Sequence, residues 1–215
     1  MIVVGDVAGQ LKTLKKLLEP FIGKERIILA GDMVDRGLDS RGVIDFAINN
    51  NLEAVYGNHE DFMVDWYLSQ VSDIHHVRKY EDGLWFDNGG EQTYYSYSKS
   101  GSHANVLSNM KDHIAWLRKL PIKIETEKLI ITHAPLNKLE DSYGQYWNRA
   151  KPTEITNKIQ IFGHNSFWGL KEFKNEKNEL WAICIDTSGE EKLTALQIDE
   201  NTLEYKVHKQ EYICS

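Results

Sequence analysis

The sequence is poor in cysteine and proline, with 2 Cys and 4 Pro among 215 residues. No Cys-x-x-Cys pair occurs, so nothing indicates a disulfide-stapled domain or a thiolate zinc site. Cys184 lies in an apolar run at residues 180–185, and we expect a buried thiol in a reducing cytoplasm. The prolines do not cluster, and no repeat or Pro/Gly linker is present. We therefore predict one domain over residues 1–215.

The sequence also lacks long apolar runs and an excess of positive charge. No run reaches the roughly 18 apolar residues of a membrane span. Residues 1–5 are typical of a strand rather than a signal peptide, because they have no basic start and no small-residue cleavage site. The net charge is −7, whereas general nucleic-acid binders are usually basic. We therefore expect neither a membrane partner nor general nucleic-acid binding.

The first sixty residues alternate apolar runs with amphipathic segments. The apolar runs at residues 1–5, 26–30 and 52–56 have the length of strands. Between them, leucines in residues 11–18 and apolar side chains in residues 43–48 recur at helical spacing. This βαβαβ order predicts parallel strands, with a ligand site at their carboxyl ends.

The remaining two thirds of the chain predict a second sheet. Residues 69–102 are rich in aromatic and polar side chains, which indicates a helical or irregular insertion, and residues 106–120 have helical spacing. Strands are predicted near residues 122–125, 128–132, 158–162, 180–185, 193–198 and 203–208. We interpret the connections between these predicted strands as short, which favours mostly antiparallel pairing in this part of the chain. The predicted fold class is α/β, a β-sandwich of mixed sheets flanked by helices.

Acids, an amide and histidines follow the predicted strands. They stand at residues 5–6 (Gly-Asp), 31–32 (Gly-Asp), 57–59 (Gly-Asn-His), 132–134 (Thr-His-Ala) and 163–164 (Gly-His), and Asp186 is a further polar strand end. Oxygen and imidazole ligands without thiolates suit a pair of Mn, Fe or Zn ions better than Ca²⁺, which prefers oxygen alone. Two such ions can hold a phosphate and activate a bridging water as the nucleophile.

Several of these segments match sequence motifs that are known from one protein family. Residues 31–37 match Gly-Asp-x-Val-Asp-Arg-Gly in full, residues 57–60 match Gly-Asn-His-Glu, and residues 5–9 resemble Gly-Asp-x-His-Gly. Segments at residues 133–135, 147–149, 163–164 and 185–187 resemble the remaining signatures. The chain therefore resembles calcineurin-like metallophosphoesterases of the phosphoprotein phosphatase superfamily. It is similar to the small bacterial and bacteriophage-lambda-type serine/threonine protein phosphatases, and also to diadenosine tetraphosphate hydrolases.

The resemblance implies the metallophosphoesterase fold and a set of metal ligands. Asp6 and Asp32 would hold the first metal ion, with Asp32 bridging to the second. Asn58, His133 and His164 would complete the second site. Manganese is the expected metal, with iron, zinc or nickel as alternatives. If the gene is phage-borne, the resemblance implies the host cytoplasm as the location.

The resemblance also implies residues that act on the substrate. His59 would be the general acid that protonates the leaving oxygen, with Asp35 as its orienting partner. Arg36 and Arg149 would bind the phosphate oxygens, since a guanidinium fork fits them well.

Two positions depart from the family pattern. Tyr56 stands where protein phosphatases usually have an arginine before Gly-Asn-His, which weakens the phosphoprotein interpretation and leaves room for nucleotide polyphosphates. Ala8 stands at the position of a ligand histidine, and a methyl group cannot bind metal. Every other ligand position of the motifs has the expected residue, so a single change from histidine to alanine suggests an engineered substitution made to slow turnover. Natural loss of the histidine is the alternative.

These observations predict a dinuclear-metal phosphoesterase that hydrolyses phosphomonoesters with a metal-activated water. Phosphoserine or phosphothreonine in proteins is the leading substrate, and the chain is expected to be impaired by Ala8. The second interpretation is a hydrolase of dinucleoside polyphosphates, such as diadenosine tetraphosphate, or of nucleotide caps. A non-catalytic phosphate binder is the third.

Overall fold

The structure is a computed structural model that describes residues 1–71, 81, 83–98, 101–136, 144–153 and 157–213. Its strands are β1 (Ile2–Val4), β2 (Ile27–Leu29), β3 (Glu53–Ala54), β4 (Lys123–Glu125), β5 (Leu129–Thr132), β6 (Ile159–Phe162), β7 (Leu170–Lys174), β8 (Leu180–Ile185), β9 (Lys192–Ile198) and β10 (Tyr205–Glu211). Its α-helices are α1 (Leu11–Leu18), α2 (Ser40–Asn49), α3 (Asn58–Val71), α4 (Glu91–Ser98) and α5 (His103–Leu117). A π-helical turn, Phe86–Gly90, leads into α4.

The first sheet has the strand order β10-β9-β1-β2-β3. Strands β1, β2 and β3 are parallel, with Ile2 opposite Ile27 and Ile28 opposite Glu53. Strand β9 pairs with β1 in the antiparallel sense, and β10 pairs with β9 in the same way. The predicted βαβαβ unit is confirmed, and its three strands end on one edge.

The second sheet has the order β4-β5-β6-β8-β7, and it contains a parallel centre that the sequence did not predict. Its three central strands, β5, β6 and β8, are parallel rather than antiparallel. Pairs β4–β5, β7–β8 and β9–β10 are antiparallel, so most pairs follow the prediction. The parallel centre was missed because 26 residues, 133–158, separate β5 from β6, and a connection of that length can return the chain to the same edge. Strand β7 was not predicted, since its mixed Leu-Lys-Glu-Phe-Lys sequence is that of a solvated edge strand.

Apolar residues of alternating orientation hold the two sheets together. Val3 of β1 packs with Ile28 and Ile131 between the sheets, whereas Ile2 and Val4 face a second core beneath the helices. Helix α1 covers the first sheet with the buried face that its leucine spacing predicted. The α/β sandwich of mixed sheets is confirmed.

Helix α3 was not predicted from the spacing of apolar residues. Most of its residues from Asn58 to Tyr67 are buried, polar and apolar alike, so it has no clear polar face. The insertion predicted at residues 69–102 contains the π-helical turn and α4, while residues 72–80, 82 and 99–100 lie outside the described part. None of the described helices is long and apolar enough to cross a membrane. Cys184 is buried as a free thiol, as expected.

Candidate active site

The polar strand ends of both sheets meet at one place in the fold. Asp32 follows β2, while Asn58 and His59 form the first turn of α3, directly after β3. From the other sheet, His133 follows β5 and His164 follows β6. All five are buried. Because parallel strands end on the same edge, the two sheets bring the predicted residues together from distant parts of the chain.

Hydrogen-bond acceptors converge around one ring nitrogen of His133. Its Nδ1 lies 2.9 Å from the carbonyl oxygen of Ala30, and since a carbonyl only accepts, Nδ1 carries the proton. Nε2 of the neutral ring therefore presents a lone pair. It lies 2.9 Å from Asn58 Oδ1, 3.1 Å from His164 Nδ1 and 3.2 Å from an oxygen of Asp32. When His164 carries its proton on Nε2, four acceptor atoms surround one point, which is the donor set that a divalent cation requires.

The protonation states of these groups suit metal ligation. Burial lowers the pKa of His133, and burial together with His133 lowers that of His164 to about 3. Burial alone would raise the pKa of Asp32, but His133, His59 and His164 lower it to about 2. At neutral pH the centre therefore offers neutral imidazoles and a carboxylate, the forms that bind metal. The possible ligand atoms of Asp32, His133 and His164 lie within 4.8 Å of one another.

A second group of buried carboxylates adjoins this centre. Both oxygens of Asp6 accept from the backbone N–H of His164, at 3.0 and 3.2 Å. Burial, Asp186 and Asp32 raise the pKa of Asp6 well above its usual value. Three buried acids so close together are costly unless a cation neutralises them. Asp186, which the sequence showed only as a further polar strand end, thus belongs to the electrostatics of this centre.

Ala8 lies beside the same carboxylates. Its N–H donates to the carbonyl of Asp32 at 2.8 Å, and its own carbonyl accepts from Gly37 at 3.0 Å. Its φ of 47° is left-handed, a conformation in which histidine is more frequent than alanine, and only 5% of the residue is exposed. The backbone at position 8 is therefore fixed by its neighbours and can accept a histidine.

His59 is paired with Asp35 as expected. Its Nδ1 lies 2.6 Å from Asp35 Oδ2, and Arg36 donates to its Nε2 at 3.0 Å. A guanidinium only donates, so in this geometry Nε2 accepts and Nδ1 carries the proton. Burial lowers the pKa of His59, but Asp32 and Asp35 outweigh it and leave the pKa raised. A proton can therefore occupy Nε2 once Arg36 turns to another acceptor, such as a phosphate oxygen.

Asp35 is held by side chains that the sequence did not reveal. Trp85 is buried, and its Nε1–H donates to both carboxylate oxygens of Asp35 at 3.0 and 3.2 Å. The Thr93 hydroxyl donates to Asp35 Oδ1 at 2.7 Å. The backbone N–H of Asp35 donates to Thr93 Oγ1 at 2.8 Å and to Ser40 Oγ at 3.0 Å. This network fixes the partner of His59.

Hydrogen bonds fix the loops that carry the two predicted arginines, Arg36 and Arg149, and both residues are exposed. The carbonyl of Gly89, in the π-helical turn, accepts from Arg36 N at 3.0 Å. A Cβ at Gly89 would lie 2.7 Å from that nitrogen, so only glycine fits there. Asn148 fixes the second loop, because its side chain donates to Pro135 O and accepts from Ala150 N, both at 2.8 Å. Arg149 itself donates to the carbonyl of His164 at 3.3 Å.

Glu60 is a buried carboxylate that sequence reasoning left without a role. Its two oxygens accept from the backbone N–H groups of Asp32, Met33 and Gly57 at 2.7 to 2.9 Å. Burial and Asp32 raise its pKa to about 8. Glu60 therefore ties the loop after β2 to the start of α3, and so positions Asp32 relative to Asn58.

This role predicts the effect of Glu60→Gln. With a pKa of about 8, Glu60 is largely protonated at neutral pH, but its hydroxyl oxygen can still accept a hydrogen bond. The amide NH₂ that replaces this oxygen cannot accept, so at least one buried backbone N–H is left unsatisfied. We expect the free energy of unfolding to fall by about 1–3 kcal/mol, measured by urea denaturation at neutral pH. The same substitution at the exposed Glu204 is the matched control and should change stability by less than about 0.5 kcal/mol. Equal stability of the two variants would contradict the bridging role.

A cavity of about 670 Å³ opens beside Arg36. Loop residues Gly9, Gly37 and Leu38 and the exposed ring of Tyr95 line it. It adjoins the loops that carry Ala8 and Asp35, so it offers room for a leaving group next to the candidate phosphate site.

Two curated proteins are similar in sequence. The chain is 27% identical over 176 residues to serine/threonine-protein phosphatase 1 of Salmonella typhimurium (strain LT2), covering 77% of this chain and 75% of that protein. It is 34% identical over 70 residues to symmetrical bis(5'-nucleosyl)-tetraphosphatase of Cellvibrio japonicus (strain Ueda107). The second match covers only 30% of this chain and 26% of that relative.

Two crystal structures share the fold. One is of a proposed diadenosine tetraphosphatase, with a TM-score of 0.60 and 19% identity, covering 97% of this chain and 92% of that chain. The other is a metallophosphoesterase from Sphaerobacter thermophilus, with a TM-score of 0.60 and 13% identity, covering 99% and 88%. At these identities the likeness concerns the fold alone. The family model described as calcineurin-like phosphoesterase matches residues 1–192. The chain therefore belongs to the calcineurin-like phosphoesterase family, whose members hydrolyse phosphoesters.

Proposed function

We propose that this chain, as one domain over residues 1–215, hydrolyses phosphomonoesters with two divalent metal ions, most readily manganese. Phosphoserine and phosphothreonine in proteins are the leading substrates, and the cytoplasm is the proposed location. The observation that supports metal chemistry best is the convergence of acceptor atoms from Asp32, Asn58, His133 and His164. Similarity to a serine/threonine-protein phosphatase over 77% of the chain favours the substrate class.

The residues divide between the two proposed metal positions. Asp32, Asn58, His133 and His164 would hold one ion, and Asp32 would share the other with Asp6. When bound, such ions neutralise the phosphate and make a water nucleophilic at neutral pH. The chain contributes a buried, preorganised set of ligands, so little reorganisation accompanies metal binding.

His59 would supply the proton for the leaving oxygen. Asp35 holds the ring by Nδ1 and leaves Nε2 facing the centre, 3.8 Å from Asp32 Oδ2. The substrate phosphate would draw Arg36 away from Nε2, so that the ring can carry the proton that departs with the alcohol product. No covalent enzyme intermediate is needed in this scheme.

Arg36 and Arg149 would bind the phosphate oxygens. We predict that Arg36→Ala or Arg149→Ala raises the inhibition constant of inorganic phosphate by about 10-fold or more, since a charge-assisted hydrogen bond contributes about 1.5–3 kcal/mol. Lysine at either position should restore only part of the affinity, because a point charge cannot make the bidentate contact. The exposed Arg118→Ala is the control. Unchanged phosphate inhibition in both alanine variants would remove these residues from the site.

Dinucleoside polyphosphates are the second candidate substrate, and Tyr56 favours them. Its hydroxyl donates to Asp61 at 3.1 Å, so this position offers neither a guanidinium nor a free hydroxyl to a phosphoprotein. The cavity beside Arg36 could take a bulky leaving group. The partial match to a bis(5'-nucleosyl)-tetraphosphatase points the same way.

Product analysis separates these functions. A phosphoserine peptide, diadenosine tetraphosphate and p-nitrophenyl phosphate are each incubated with manganese-loaded protein carrying histidine at position 8. Our proposal expects fastest phosphate release from the peptide. Faster appearance of nucleotide products from diadenosine tetraphosphate would assign the second function. No turnover of any substrate, with metal bound, would identify a phosphate binder.

A further inference from the structure

Tyr212 lies in the segment after β10 and is held in place on both sides. Its own N–H donates to the carbonyl of Glu191 at 2.9 Å. The N–H of Ile213 donates to Thr13 Oγ1 at 2.9 Å, which ties the segment to α1. These two backbone hydrogen bonds to separate parts of the fold fix the main chain that carries the tyrosine ring.

The hydroxyl of Tyr212 is buried, and among the described residues it has no hydrogen-bond partner. A buried hydroxyl is rarely left unpaired, because it loses its bonds to water without replacement. Apart from burial, the charges that act on it most strongly are those of Asp186 and Asp6, which raise its pKa, while Arg36 opposes them. The geometry points the same way, because Glu191, which accepts from the Tyr212 N–H, lies in the short loop between β8 and β9 that begins with Asp186.

The Tyr212 side chain lies near the loop that carries Ala8. It lines the same cavity as Gly9 and Gly37. Gly9 is the neighbour of Ala8 in the chain, and Gly37 donates to the carbonyl of Ala8. Tyr212 therefore lies in a cavity wall next to the loop that carries Ala8, whose side chain is only a methyl group.

We propose that the Tyr212 oxygen is a ligand of the metal ion held by Asp6 and Asp32, in the place left by the histidine missing at position 8. This inference rests on the proposed function. Ligation would break the phenol O–H bond, release the proton to solvent and form an oxygen–metal bond. The cation would neutralise the buried carboxylates, and a phenolate suits hard ions such as Mn²⁺ or Fe³⁺. Nothing in the sequence motifs pointed to this residue.

Metal binding to Tyr212→Phe tests the proposal. Manganese affinity is measured by equilibrium dialysis, and phenolate formation by the near-ultraviolet difference spectrum on adding manganese. We expect Tyr212→Phe to weaken the binding of the ion proposed at Asp6 and Asp32 by about 10–100-fold, a typical cost of disturbing a metal site. The phenolate signal should disappear in this variant. Tyr95→Phe, which alters an exposed tyrosine of the same cavity, is the control and should behave like the parent.

The same substitution in an Ala8→His background makes the test specific. If histidine replaces the tyrosine as ligand, Tyr212→Phe should then change affinity by less than about threefold, because the two substitutions share one site. Equal weakening in both backgrounds, or no phenolate signal in the parent, would overturn ligation by Tyr212 while leaving the phosphoesterase proposal standing. Failure of every variant, Ala8→His included, to bind manganese would overturn both.

Discussion

Replacing Ala8 with histidine should raise the bound metal toward two ions per chain and raise phosphatase turnover by at least about tenfold, equivalent to 1.36 kcal/mol of barrier. The backbone at position 8 is already fixed beside Asp32, and its left-handed φ accepts histidine. An imidazole there would add a ligand to the ion that we propose Asp6 and Asp32 hold. The gain should be largest at low metal concentration, where the weaker site is empty in the parent chain.

Metal content and p-nitrophenyl phosphate turnover, measured over a manganese titration, check this expectation. Ala8→Ser is the control, since a serine changes the side chain without supplying an imidazole. Equal activity and equal metal content of the parent and the histidine variant at saturating manganese would show that position 8 is not a ligand position. In that case the alignment of residues 5–9 with the family motif would be wrong.

His59→Asn should cut turnover by about 10²–10⁴-fold for substrates with poor leaving groups. The loss should be much smaller for p-nitrophenyl phosphate, whose leaving group needs little protonation. Metal binding should stay nearly intact, because the ring of His59 is bonded to Asp35 and Arg36 rather than to the converging acceptors around His133.

The measurement belongs in a chain with histidine at position 8, so that the starting activity is high enough to follow the loss. His103→Asn, which changes an exposed histidine, is the matched control. A larger loss of metal than of rate in His59→Asn would mean that the residue supports the metal centre rather than the leaving group.

The sequence predicted the part of the fold that local patterns encode. Strands β1, β2 and β3 were found because short apolar runs alternate with amphipathic helices, and the parallel unit follows from that order. Helix α3 was missed because burial on nearly every side removes the periodicity that reveals a helix. The parallel pairing of β5, β6 and β8 was missed because it depends on where a long connection runs, which the strands themselves do not encode.

The candidate site divides in a similar way. That Asp6, Asp32, His133 and His164 lie close together could be predicted, because each stands within three residues of a strand end in a short motif. The supporting groups could not, since Trp85 and Thr93 lie 50 and 58 residues away from Asp35 along the chain. Such partners carry no local signature and become visible only once the chain is folded.

The central claim is that metal held by the converging acceptors drives phosphoester hydrolysis. Chelator-stripped protein is titrated with manganese while bound metal and p-nitrophenyl phosphate hydrolysis are followed together, in the parent and in His133→Ala. We predict that hydrolysis is absent without metal, rises with the bound ion, and is lost together with that ion in His133→Ala. Hydrolysis that survives chelation, or manganese binding that is unchanged in His133→Ala, would contradict the account.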